Sequence, residues 1–388
     1  MLQTINVKSS QIPDKAAQGL MDRLQVSADL HFGENIISIS NMVVGILVFS
    51  VVFVIFQLFY LRSRKKYLAE NKKMVQYRVN GFLSDLLFGD NLAEDYYDSQ
   101  INAFKSKIPL QKSWCKDLLI QNIIELGKNI KGESKSGLLS VYFKLGLQGY
   151  TERLLRSSQW YLKSKAVYYW RELNYSKAAE KIYPLISHSN HELRSSALLA
   201  YISLAELDPL HVLEEYTDNI SHVEGLNILD VIQRKKIKKP ENLGKWLEFE
   251  EYSHLIFALK LVAYYNDLDS GPKVVKLLTS LNPKVRLEAI KTIGKLFYFD
   301  AEQTLIDSFE NEEEENQIEI IHTLKGIGGD QSSEFIHQLL ESPRSAELQI
   351  AALYTLKTLD QEFSTLDFGS NLNLLKAKKH VEDPYLTQ

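Results

Sequence analysis

From Asn35 to Leu61 the chain carries no charged residue, and Arg62, Arg64, Lys65 and Lys66 follow directly. The 25 residues Ile37–Leu61 predict one helix, about 38 Å long at roughly 1.5 Å per residue, against a hydrocarbon core of about 30 Å. Its centre, Met42–Phe56, is Val, Ile, Leu and Phe apart from Gly45 and Ser50 at its polar or small positions. Gln57 and Tyr60 fall where headgroup-level side chains sit. A buried core helix is the competing reading, but such helices are rarely apolar on every face. A secretory signal peptide does not fit, because the apolar run is long, starts late and ends in a basic cluster.

After the span the pattern changes to helical periodicity with a longer repeat. Leu185-Ile186, Asn190 and Leu193-Arg194-x-x-Ala197 recur at identical spacing as Leu277-Leu278, Asn282 and Val285-Arg286-x-x-Ala289. Stepping by about 31 residues places equivalent positions at Ala166, Ala197, Ile228, Ala258, Ala289, Ile320 and Ala352. A period of this length predicts stacked helical hairpins. In each, a first helix such as Ala178–Ser187 ends at the paired apolar residues, and a polar turn follows. A second helix then starts near the Leu/Val-Arg pair and buries the small residue against its neighbour. Gly326, Gly328 and Gly329 read as a helix stop in this register rather than as a phosphate loop, which requires a preceding strand.

The turn-Leu/Val-Arg-x-x-Ala pattern resembles HEAT repeats of the short bacterial type over about residues 110–360. The span, the basic collar, Tyr142–Leu147 and Ser158–Ala166 are also similar to single-span HEAT-repeat membrane proteins of Bacteroidetes-type bacteria. That resemblance implies a protein partner at the membrane, an envelope glycosyltransferase or polysaccharide-export machinery, and no catalytic residue. The chain departs from the pattern where Gly225 and Gln317 replace the repeat arginine.

The expected fold is all-α: a single transmembrane helix followed by an α-solenoid of HEAT-like hairpins. The expected organisation is an extracytoplasmic segment over residues 1–35, the transmembrane helix over 36–61, a basic stalk with linker helices over 62–111, the solenoid over 112–361, and a cap and tail over 362–388. Within these, short helices are expected near Ala93–Lys107 and Asn371–Val381. Another, over Lys116–Ile130, is expected to pair with Gly137–Leu147.

Charge sets the orientation. Arg62–Lys73 holds six Lys or Arg, while residues 1–35 hold three. The positive side stays inside, so the N-terminus is expected outside and the repeats in the cytoplasm, at a bacterial inner membrane. Arg62, Arg64, Lys65 and Lys66 are also expected to meet anionic headgroups. The net charge of −4 gives no footprint for nucleic acid. One cysteine, Cys115, permits no internal disulfide.

Three groups of side chains are candidates for contact with a partner. Lys163, Arg194 and Arg286 share one repeat position; they either meet an acidic partner or bind turn carbonyls and carboxylates of the adjacent unit. Arg234, Lys235 and Lys236 open the densest basic run away from the membrane, continuing through Lys238 and Lys239 to Pro240; it is either a docking loop or a solvated one. Trp160, Tyr161 and Tyr169 crowd one unit with Tyr168 and Trp170, and aromatics of this kind anchor interfaces or fill cores. The acidic run Glu310–Glu315 lacks the alternating spacing of a calcium loop. His188 and His191 complete no metal set, Cys115 has no activating neighbour in sequence, and no catalytic, cofactor or metal site is expected.

The resulting expectation is a non-enzymatic, membrane-tethered protein-binding scaffold. The alternative is a receptor in which residues 1–35, with Leu20, Met21 and Leu24 on one helical face, sense an external partner.

Overall fold

The computed structural model describes residues 14–88, 94–129, 133–369 and 371–383, with little beyond the helix backbone over 14–40. The described residues are helical and contain no strand. Of the expected external segment, residues 1–13 lie outside the described residues, as do the side chains of Leu20 and Leu24 and the tail beyond 383. The chain divides into two compact units, Met1–Asn122 and Ile123–Gln388.

In the first unit, α1 is one unbroken helix, Asp14–Phe88. It continues past the apolar run as the strong helix formers of residues 62–88 predict. Every side chain from Met42 to Leu61 is exposed, and the apolar window has no cover from the protein. Further on, Val75, Val79 and Leu83 are buried at four-residue intervals, a helical stripe. The α2 helix, Glu94–Ser106, meets that end of α1. Phe82 stacks on Phe104 with ring centroids 3.9 Å apart, and Arg78 donates to the Lys107 carbonyl at 2.7 Å. The α3 helix, Ser113–Asn129, buries Cys115, Leu119 and Ile120. Burial pushes the Cys115 thiol up to about 11, which keeps it protonated and unreactive.

The second unit is the stack of hairpins. After α4, Glu133–Lys144, and α5, Leu147–Leu155, the second helices of the repeat begin. They are α6 (Trp160–Glu172), α7 (His191–Leu204), α8 (His222–Lys235), α9 (Tyr252–Tyr264), α10 (Pro283–Leu296) and α11 (Glu314–Ile327). The series continues, after the first-position helix α12 (Asp330–Glu341), with α13 (Ala346–Leu359). The α14 helix, Leu372–Glu382, packs on α13. All seven repeat positions fall on α6–α11 and α13, and none is more than 1% exposed. At the five alanine positions a small side chain lets successive helices approach, and Ile228 and Ile320 fill the same buried place with a larger one.

The first helices are less regular than the repeat predicts. Ala179–Ile182 has only four α-helical residues between 3₁₀ turns at Ser176–Ala178 and Tyr183–Ser187. Gly271–Lys276 and Glu302–Ser308 are flanked in the same way. The tighter 3₁₀ turn suits such short pieces. The polar turns behave as read: the Asn190 side chain accepts from the Leu193 N–H, Asn282 accepts from the Lys284 N–H, and Pro283 takes the first helical position.

Candidate partner interface

The repeat arginines are latches between units. Arg194 Nε donates to Asp218 at 2.5 Å, and its Nη1 donates to the carbonyls of His188 and Ser189 at 2.6 and 3.0 Å. Arg286 repeats the arrangement, with Nε donating to Glu312 at 2.6 Å and Nη1 to the Ser280 carbonyl at 2.8 Å. One planar fork thus ties the turn behind it to a carboxylate of the next unit. Hydrogen bonding by Arg194, against some burial and with His191 assisting, holds the Asp218 carboxyl below its ordinary pKa. At the degenerate positions the substitution is explained by packing. A Cβ on Gly225 would stand 3.1 Å from the Phe257 ring, and Gln317 Nε2 reaches the Phe309 carbonyl at 3.0 Å. Lys163 has no such latch among the described residues.

The glycine stop has a partner of its own. Glu302 accepts from the Gly329 N–H at 2.7 Å, the Ser332 N–H at 3.1 Å and the Ser332 hydroxyl at 2.6 Å. A carboxylate from the preceding unit therefore fills the anion-attracting N-terminus of α12. Burial raises the Glu302 carboxyl, and these three donors outweigh it, so its pKa falls below the usual range. The acidic run is also engaged internally: Glu312 with Arg286 and Asn316, Glu310 with Arg344, and Glu314 with Ser345.

The aromatic cluster splits differently from the sequence expectation. Tyr169 is 1% exposed and belongs to the core, whereas Tyr168 is 40% exposed. The reason is helical register: positions 169 and 170 lie three and four residues after Ala166 and share its buried face. Trp170 Nε1 donates to the Tyr142 hydroxyl at 3.2 Å, which donates to Thr151 at 3.0 Å. Trp160 and Tyr161 are 41% and 52% exposed at the opening of α6.

The basic run is the last turn of α8 followed by a partly pinned loop. Arg234 pairs with Asp230 and Lys235 donates to Asn174, both at 2.5 Å, while Lys239 donates to Asp267 at 2.8 Å. The Tyr265 hydroxyl is shared between the carbonyls of Ile237 and Lys238. Lys236 and Lys238 are exposed and carry no ion pair among the described residues. They border a cavity of about 870 Å³ that Leu207, His211 and Trp246 also line.

Two repeating features escape a reading of the sequence. Asn174, Lys236, Asn266 and Phe297 have positive φ, each eight residues after a repeat position. In each, the following N–H reaches five residues back, as from Tyr298 to the Ile293 carbonyl at 3.2 Å. This is a Schellman stop, and only the two asparagines signal it in sequence. Thr292, Thr323 and Thr355 are buried, and each hydroxyl reaches a carbonyl of the preceding second helix, at Leu259, Ile290 and Ile321. Among the described residues no group of three or more His, Cys, Asp or Glu is arranged to hold a metal ion.

Residues 257–357 match the family model for HEAT repeats. No curated protein matches the chain. Among solved structures, a crystal structure of an engineered protein is similar at 18% identity over 54% of this chain and 94% of its own, with a TM-score of 0.29. A second engineered protein is similar at 16% identity over 71% and 77%, also at 0.29. A protein from the computational design of self-assembling cyclic homooligomers reaches 14% over 82% and 99%, at 0.13. The three buried threonines all lie inside the matched segment, where the second helices pack most regularly. Residues 257–357 are thus similar to HEAT repeats, and the described residues of the second unit form a helical repeat stack.

Proposed function

We propose that the chain is a non-enzymatic, membrane-tethered scaffold, with α1 crossing the bilayer and the HEAT repeats holding a protein partner at its surface. The observation that carries this is the run Met42–Leu61, in which no side chain has cover from the protein. Covering a large apolar side chain is worth about 1.5–3 kcal/mol, so this run demands an apolar surrounding, and a bilayer supplies one over the right length. The basic collar Arg62–Lys66 supports an orientation with the repeats on the cytoplasmic side, in bacteria the inner face of the inner membrane. Tethering raises the effective concentration of a partner that shares the membrane. The loop at Lys236 and Lys238, with the cavity beside it, offers that partner two unpaired cations. By resemblance the partner is an envelope glycosyltransferase or its export machinery.

Val51→Arg tests the span. A cation at mid-bilayer costs about 2.5–3.5 kcal/mol on insertion against about 0.3–0.6 kcal/mol gained per apolar residue, so the variant combined with Val48→Arg should leave the membrane fraction on alkaline washing while the parent chain stays. Equal retention of both would remove the tether. Crosslinking in intact membranes tests the partner surface: Lys236→Glu with Lys238→Glu should abolish the main crosslinked product, and an unchanged product would move the interface elsewhere.

A further inference from the structure

We infer that the corner between α5 and α6 is a docking surface for an anionic lipid bilayer. The inference rests on the reading of α1 as a span, which brings such a surface within reach. Residues 153–171 hold five Lys or Arg and no Asp or Glu. Arg171 is engaged by Glu172, and Lys165 lies 5.6 Å over the Tyr169 ring. Arg153 and Arg156 are exposed, and Lys163 lacks the carboxylate that its equivalents hold. The acid just before the corner, Glu152, is neutralised by Lys181 at 2.5 Å. Along the chain the acid-free run ends at Glu172, which is held by Arg171.

Along the chain, the exposed aromatics Trp160 and Tyr161 fall between Arg156 and Lys163. Trp160 and Tyr161 stand edge to face with ring centroids 6.1 Å apart, both exposed on the first turn of α6. Gln159 gives this helix no side-chain cap; its amide oxygen takes the Tyr161 hydroxyl at 2.5 Å instead. The positive end of the helix dipole therefore adds to the side-chain charge.

An aromatic and basic face suits either a protein or a lipid surface, and two observations favour lipid. Trp160 and Tyr161 are 41% and 52% exposed, and among the described residues neither lines the cavities of about 870, 640 and 320 Å³, so these rings project toward solvent rather than into those cavities. The charge is also of one sign, whereas surfaces that read a particular protein usually arrange both. Exposed Trp and Tyr flanked by Lys and Arg match the headgroup layer, where the rings lie between water and hydrocarbon and the cations meet lipid phosphates.

The buried Cys115 is the lone cysteine, so one added thiol can be labelled selectively. The full chain carrying Ser158→Cys would be spin-labelled and reconstituted into phosphatidylcholine vesicles with or without phosphatidylglycerol. On anionic vesicles, collisions with a water-soluble relaxation agent should fall about five-fold, and those with oxygen should rise. A label at Leu281→Cys, 91% exposed in a distant turn, should not respond. Converting Arg153, Arg156 and Lys163 to Gln should restore water access, while Arg153→Lys with Arg156→Lys should preserve docking, since a bilayer reads charge. A label at 158 that stays water-exposed on anionic vesicles, or responds no differently from the one at 281, overturns the proposal, as does protection requiring an added membrane protein. Flotation with neutral vesicles after an alkaline wash reports the span alone. A chain that floats with an exposed label refutes the docking surface and leaves the span reading standing.

Discussion

At the scale of single residues, Arg286 and His254 show opposite uses of burial. Arg286 and Glu312 are mostly covered, and the second lone-pair side of Glu312 takes the Asn316 amide. Removing the guanidinium leaves a covered carboxylate without its counter-ion, a change that costs about 3 kcal/mol. Arg286→Ala is therefore expected to lower the denaturation free energy by about that amount; a loss below about 1 kcal/mol would mean that the latch is replaceable by water. His254 is 6% exposed, and its Nε2 has no hydrogen-bond partner. Burial pushes its pKa below the ordinary histidine value of 6.5, with a hydrogen bond at the Tyr216 backbone and the nearby Glu251 opposing. Between the folded and unfolded values the unfolded chain binds a proton that the folded chain refuses, so stability is full above pH 6.5 and declines below it. His191 works in the other direction, raised by its hydrogen bond to Asp218. The test is consequently a signed difference: the stability of the parent chain minus that of His254→Leu should fall as pH drops from 8 to 5, and a pH-independent difference would show that His254 is not the titrating group.

At the scale of elements, the seven repeat positions were legible because alanine recurs at five of them, and isoleucine fills the other two, with the period of the helical hairpin. The latching arginines were legible as a shared position, but their carboxylates were not. Asp218 lies 24 residues beyond Arg194, and Glu312 lies 26 beyond Arg286. The loop between them differs in length, so no fixed spacing marks the pair. By residue type Tyr169 suits an interface or a core equally; it is buried because it lies three residues after Ala166 on the same helical face. The Schellman stops at Lys236 and Phe297 were hidden because neither residue type prefers the left-handed region. That concealment has a measurable cost. Lys236 is exposed with φ 51°, and glycine relieves a penalty of about 1 kcal/mol there. Lys236→Gly should raise the melting temperature, whereas Lys238→Gly, where φ is not positive, should not. A fall in melting temperature for Lys236→Gly would show that its side chain supplies more than the strain it carries.

At the scale of the whole molecule, the repeat unit is uneven, and its unevenness predicts how it opens. Second helices pack closely from α9 through α10 and α11 to α13, whereas close backbone contact is far sparser between α8 and α9. The cause is local. Gly225 yields to the Phe257 ring, and a groove of about 320 Å³ lies between Ile220, Gly225, Phe257 and Leu287. The buried threonine bonds begin only beyond this junction, as does the matched HEAT segment. In a stack stabilised by nearest-neighbour interfaces, the weakest interface is where cooperativity divides. Backbone amides of His222–Lys235 should therefore exchange hydrogen faster than those of Pro283–Leu296, though both helices have 14 residues. Under mild denaturant the two sides should open in separate steps. Thr323→Val removes a bond between α11 and α10 and should accelerate exchange on the α9–α13 side while leaving α6–α8 unchanged. If instead every helix of the stack exchanges at one rate and Thr323→Val accelerates all of them equally, the stack is a single cooperative unit and the α8–α9 junction is no boundary.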